Sequence, residues 1–162
     1  MSFYDAERVV KDTLEIYQTK LNTIIDCINT EKNDSVILEN IENDKYVFGV
    51  ITENMLNFDS PFIMYGMEPT TPKEAQANNF VKEVRVSFRV FMPDCGNAER
   101  DNEFYKLLRY QRALETVIVK NCDVYRGYGK PKVTSLTPDA FEYNSKVFLH
   151  IGVEISVSIT AR

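Results

Sequence analysis

The feature that most constrains how this chain can fold is its C-terminal stretch. Val147, Leu149, Ile151, Val153, Ile155, Val157 and Ile159 take every odd position, while Phe148, His150, Gly152, Glu154, Ser156, Ser158 and Thr160 take the even ones. Successive side chains on a strand point to opposite faces, so this period of two predicts a long strand with one core face and one mixed face. Its length raises a geometric problem. From Lys146 to Thr160 it would span ~50 Å at about 3.3 Å per residue, whereas a globule of this size has a radius of gyration of ~15 Å and a diameter of roughly 40 Å. The strand either bends, with Gly152 as the place for a bulge, or sends its end out to pair with a neighbouring chain. A bare apolar edge of that length is an aggregation hazard, so the second option implies an oligomer.

The 162 residues suit one domain, and the 44% hydrophobic and 27% charged content with six Gly and six Pro excludes disordered and fibrous classes. Val10, Leu14, Tyr17, Leu21, Ile24 and Ile28, widened by Val9 and Ile25, recur at spacings of three and four. They predict a helix from about residue 3 to 30 packed on the domain's own sheet, with Ser2 and Asp5 as a capping box and Glu7 paired to Lys11. A polar stretch from Glu31 to Asp44 then brackets the short apolar run Val36-Ile37-Leu38, and strands are expected at Tyr46 to Thr52 and Phe62 to Tyr65. Pro69 and Pro72 make residues 67–79 a long loop, suited to a binding element or a mobile cover.

Val84, Val86, Phe88, Val90 and Met92 alternate with Glu83, Arg85, Ser87 and Arg89, predicting a half-buried strand that Pro93 to Asn97 ends. A second helix is expected from about Asn97 to Lys120, with Phe104, Leu107, Leu108, Leu114, Val117 and Ile118 as its buried stripe. After a Gly- and Pro-rich turn, strand signals run from Val133 to Leu136, break at Thr137-Pro138-Asp139 and resume from Phe141 to Tyr143. The fold class expected is α+β: two helices on one face of a mainly antiparallel curved sheet, in the order α-β-β-β-α-β-β.

Chemistry leaves few marks. His150 is the only histidine, which excludes His-pair zinc sites and HExxH, and its mid-strand position reads as a sheet-face or interface residue rather than a general base. Gly127 and Gly129 before Lys130 lack the spacing of a phosphate loop, although Tyr125, Arg126, Tyr128 and Lys130 together suit a contact patch. Asp94, Glu99, Asp101 and Glu103 complement the dipole of the second helix. No catalytic residue, cofactor or metal is expected, and the reading is of a protein that is not an enzyme. Cys27, Cys95 and Cys122 stand apart with no CxxC pair, the start has no signal-peptide pattern, and no apolar run approaches the ~20 residues of a membrane span. These point to a soluble protein of a reducing cytoplasm with no membrane partner. A net charge of −5 with scattered Lys and Arg disfavours gripping DNA, while leaving a surface that DNA slides past.

The order of helix, strands, helix and strands resembles that of the tail-terminator, or tail-completion, proteins of tailed bacteriophages. The segments carrying the likeness are Asp5 to Asn29, Val84 to Met92, the helix containing Tyr110-Gln111-Arg112-Ala113-Leu114-Glu115, and Val147 to Ile159. The loop at residues 67–79 and the strand signal at Phe141 to Tyr143 depart from the simplest version of that pattern. The resemblance implies a homo-oligomeric ring, commonly six-fold, that caps the tail tube, joins it to the neck or connector proteins, and meets DNA only in passage. Such a protein is assembled in the host cytoplasm and resides in the virion tail. The resemblance carries over no functional residue; the interface positions expected from the residues themselves are Tyr125, Arg126, Tyr128, Lys130, Arg85, Arg89, Glu154, Ile155, Val157 and Ile159. The alternatives are another head-tail connector or tail-associated structural protein, and a monomeric α+β domain holding a ligand between helices and sheet.

Overall fold

The computed structural model describes residues 6–49, 58–68, 73–76, 79–94, 100–125, 130–143 and 145–161. Helix α1 (Ala6–Lys32) is followed by strands β1 (Tyr46–Phe48), β2 (Phe62–Glu68), β3 (Lys73–Gln76) and β4 (Asn79–Pro93). Helix α2 (Arg100–Lys120) then leads to β5 (Lys132–Tyr143) and β6 (Lys146–Ala161). The strands form one open sheet in the order β1-β2-β4-β6-β5, with β3 beside the start of β4; every pairing is antiparallel except that of β1 with β2. The expected α+β class holds. No described helix is long and apolar enough to cross a membrane.

The centre of the sheet is the ladder between β4 and β6, which runs from Phe80↔Ala161 to Pro93↔Phe148 without a register shift. The long C-terminal strand is thus matched residue for residue by an equally long partner, so its far end does not project alone. Val84, Val86, Phe88, Val90 and Met92 of β4 join Ile151, Val153, Ile155, Val157 and Ile159 of β6 on one face, where both helices cover them. Tyr17, Leu21 and Ile25 of α1 and Tyr110, Leu114 and Ile118 of α2 close the core from above. Two buried tyrosines satisfy their hydroxyls inside it: Tyr17 donates to the Leu114 carbonyl at 2.9 Å, and Tyr125 shares a 2.7 Å hydrogen bond with Thr13. The first helix shows the expected Lys11–Glu7 pair at 2.5 Å. Ser2 and Asp5, the expected capping box, lie outside the described residues.

Several elements differ from the sequence expectation. Gly152 is not a bulge: a Cβ built there would lie 2.2 Å from the Phe88 carbonyl oxygen, so this is where β4 and β6 approach too closely for any side chain. The irregularity sits one strand over, in β5, whose register with β6 shifts between Leu136 and Asp139. Thr137-Pro138-Asp139 therefore does not split β5 into two strands. Pro138 has no donor to lose where the ladder is already interrupted, and the strand continues to Tyr143. Beside the bulge, the Gln111 amide of α2 donates to the carbonyls of Leu136 at 2.7 Å and Gly152 at 2.9 Å, tying helix, edge strand and central strand together. Residues 67–79, expected to be a loop, contain the end of β2 and all of β3, which pairs with β4 at Lys73↔Val81 and Glu74↔Phe80. The Tyr46 to Thr52 strand is seen as β1, ending at Phe48, with residues 50–52 outside the described set.

Residues 33–42 form a strap over the helices. Asn33, at φ 47°, ends α1 in the left-handed conformation, with its N–H donating to the Asn29 carbonyl at 3.0 Å. The Asn29 amide then exchanges two 2.9 Å hydrogen bonds with the backbone of Leu38. Asn22 does the same with Ile41, at 2.9 and 2.8 Å. Two asparagines one heptad apart thus act as a neighbouring strand would, which is how Val36-Ile37-Leu38 lies extended without joining the sheet. Arg109 adds a fork onto Asp34, at 2.9 and 2.6 Å, and a bond to the Val36 carbonyl, while the Tyr110 hydroxyl donates to the Glu39 carbonyl at 2.8 Å.

Three outcomes follow from this architecture. Gln111→Leu leaves the Gly152 and Leu136 carbonyls without their side-chain donor and is expected to lower unfolding stability by about 1–3 kcal/mol; a urea midpoint equal to that of the parent would contradict the role given to Gln111. Gly152→Ala drives a methyl group into the β4 backbone and should cost ~1–3 kcal/mol or more in the same measurement. Arg109 holds the Asp34 carboxyl down to about 2, below the ordinary carboxylate value of about 4. A depressed folded-state value means that the stabilisation is present above about pH 4 and is lost as pH falls towards about 2. Asp34→Asn should therefore flatten the melting temperature against pH in that window, and an unchanged profile would show that the pair adds nothing.

Candidate interface surfaces

The face of the sheet away from the helices has two halves. At one end Phe62, Phe91 and Phe148 form a second buried cluster, with Phe62 stacked on Phe91 at 5.2 Å and edge-on to Phe148 at 5.7 Å. The Lys45 ammonium lies 3.9 Å above the Phe58 ring and that of Lys146 lies 5.2 Å from the Phe148 ring, both within cation–π range. Towards the other end the face becomes charged and balanced. Arg85 reaches Glu83 at 3.3 Å and Glu154 at 3.7 Å, and the Ser156 hydroxyl donates to Glu83. Between the halves, Arg89 donates to His150 Nδ1 at 3.2 Å, which places the ring proton on Nε2, and the imidazole stacks on Phe91 at 4.7 Å. Burial and then the Arg89 charge push the His150 pKa down, keeping the ring neutral.

The expected interface residues divide by strand parity. Arg85, Arg89 and Glu154 do lie together on this second face, half-buried. Ile155, Val157 and Ile159 point the other way and are at most 6% exposed beneath the helices, which removes them from any outer surface. Tyr125 is 1% exposed with its hydroxyl bonded to Thr13, so it anchors the chain after α2 instead of forming a contact patch. Lys130 is exposed, while Arg126 and Tyr128 lie outside the described residues.

Surfaces that sequence patterning did not single out lie at the two sheet edges. At one edge, β1 presents Phe48, 58% exposed, with its ring edge-on to Tyr65 at 5.3 Å. At the other, β5 is exposed on both faces over most of its length. Its ladder with β6 begins at Lys132↔Ser156, so β6 runs five further residues to Ala161. Phe104 and Leu108 of α2, placed in the buried stripe by their spacing, are instead 46% and 41% exposed. They lie about 75° and about 115° around the helix from the centre of the stripe made by Leu107, Tyr110, Leu114 and Ile118, and so overhang the edge where the sheet stops. Between this overhang and the strands runs a groove of about 360 Å³ lined by Phe104, Leu107, Pro138, Ala140, Val147 and Leu149, together with Asp94 and Asp139. The Phe104 and Leu108 pair was open to recognition, because Leu107, Tyr110, Leu114, Val117 and Ile118 already complete a helical stripe without it.

No protein-family model and no curated protein matches this chain.

Proposed function

We propose that this chain is a structural subunit of a phage or phage-like tail: a ring-forming tail terminator that caps the tube and joins it to the neck. The observation that carries this reading is the open sheet, whose outermost strands, β1 and β5, have no further strand beside them among the described residues. Outer edges with unpaired backbone and exposed aromatic neighbours favour pairing with another chain. Two different edges on one subunit meet head to tail, which closes into a ring when the rotation between subunits divides a full turn. In that ring, β5 of one subunit runs antiparallel to β1 of the next, since β1 and β6 share a direction opposite to that of β4 and β5.

The second sheet face supports the same reading. Its Arg85, Glu83, Glu154 and Ser156 are matched among themselves, and the chain is acidic overall at −5. A wall of that kind releases few counterions from a phosphate backbone and lets DNA pass without holding it. The space between helices and sheet is filled by Tyr17, Phe88, Leu21 and Leu114, all at most 1% exposed, which favours a structural role over a ligand chamber there.

Light scattering across concentrations, with electron microscopy of negatively stained particles, is expected to show closed rings with an open centre that bind the ends of assembled tail tubes. A strict monomer at every concentration, alone and with tube protein, would sink the reading.

A further inference from the structure

We infer that the contact between neighbouring copies is a knob-in-groove joint, in which Phe48 of one copy enters the groove between α2 and β5 of the next. The inference rests on the ring reading above and specifies its interface. Phe48 is more than half exposed, yet its edge-on packing against Tyr65 fixes the ring before any partner arrives. A large, pre-ordered aromatic side chain on a strand edge has the character of an interface anchor. The groove offers what such an anchor needs, apolar walls from Phe104, Leu107, Ala140 and Leu149.

Position supports the match. Phe48 pairs with Tyr65, which pairs with Phe88, a core residue under the helices, so Phe48 stands on the helix side of the sheet at the β1 edge. Ala140 pairs with Leu149, which packs against the same core, so the groove opens on the helix side at the β5 edge. Knob and groove therefore lie on one side of one sheet at its two opposite edges, the arrangement that a head-to-tail contact requires and a two-fold contact does not. The Phe48 row crosses β6 at Val153 and the Ala140 row crosses it at Leu149. That offset of four residues is ~13 Å along the strands, and a sheet that closes on itself needs a stagger between its first and last strands.

The test uses the full chain and two substitutions at exposed positions, Phe48→Glu and Ala140→Glu, with Phe48→Ser as a second knob variant should the charge disturb folding. Each variant should keep the parent's circular dichroism and melting temperature. Each should weaken self-assembly by at least roughly 30-fold in sedimentation velocity, as the loss of a central anchor does. Mixing the Phe48 and Ala140 variants should then yield a one-to-one dimer that grows no further, because one intact knob meets one intact groove and the remaining halves are both spoiled. Variants that assemble as the parent does would overturn this contact while leaving the ring standing. Weakened variants that form no dimer on mixing would overturn the head-to-tail pairing of these two surfaces. A parent chain that stays monomeric alone and with tube protein would remove the ring reading and this joint with it.

Discussion

The ladder between β4 and β6 is the constraint from which the rest of the structure follows. Two strands of matched length, each with its apolar residues in register on one face, create a hydrophobic strip longer than a single short helix could shield. From Val84 and Val157 to Met92 and Leu149, consecutive inward positions are apolar. Covering such a strip takes the 27 residues of α1, about 40 Å of helix, with α2 packed beside it. The helices in turn need fixing. That is the task of the strap on Asn22, Asn29 and Arg109, and of the buried hydroxyls of Tyr17 and Tyr125. Each of these polar contacts satisfies groups that burial would otherwise leave costly, so they specify one helix arrangement as well as stabilising it.

Periodicity made the long elements legible. The alternation in β4 and β6 and the three-and-four spacing in α1 each repeat often enough for one burial pattern to stand out. What periodicity could not reveal were the elements held by single residues. The strap has an ordinary short apolar run, and its extended state depends on two asparagines that precede it by 9 and 19 residues. The β5 bulge reads as a break because Pro138 ends strands in most contexts, and only a partner strand and Gln111 make the interruption tolerable. In the same way, Pro69 and Pro72 hid β3, whose four residues are too few to register against them.

The candidate surfaces were the least legible part, for a physical reason. A hydrophobic stripe on a helix gives the direction of the core but not where the sheet beneath it stops. Phe104 and Leu108 carry the same local signal as Leu107, and only the ending of the sheet at β5 leaves them in solvent. The choice of Ile155, Val157 and Ile159 as interface residues failed for the converse reason. Alternation alone suggests a strand that outruns its domain, whereas β4 pairs with it from Phe148 to Ala161 and the helices cover its apolar face.

That correction changes what kind of assembly the fold favours. A projecting apolar strand would join neighbours by pairing with almost any extended segment, a contact with little selectivity. Here the long strands are satisfied in cis, and the exposed edge β5 is interrupted by Pro138 and its bulge and carries Lys132, Asp139 and Glu142, devices that discourage indiscriminate pairing. Backbone pairing along β5 is thus limited to short stretches on either side of the bulge. In the proposed ring, selectivity between copies would fall to side chains above the edge, where an aromatic ring and an apolar groove on opposite flanks would discriminate by shape. An edge guarded in its backbone and permissive in its side chains suits a subunit that must join a set number of neighbours and then stop.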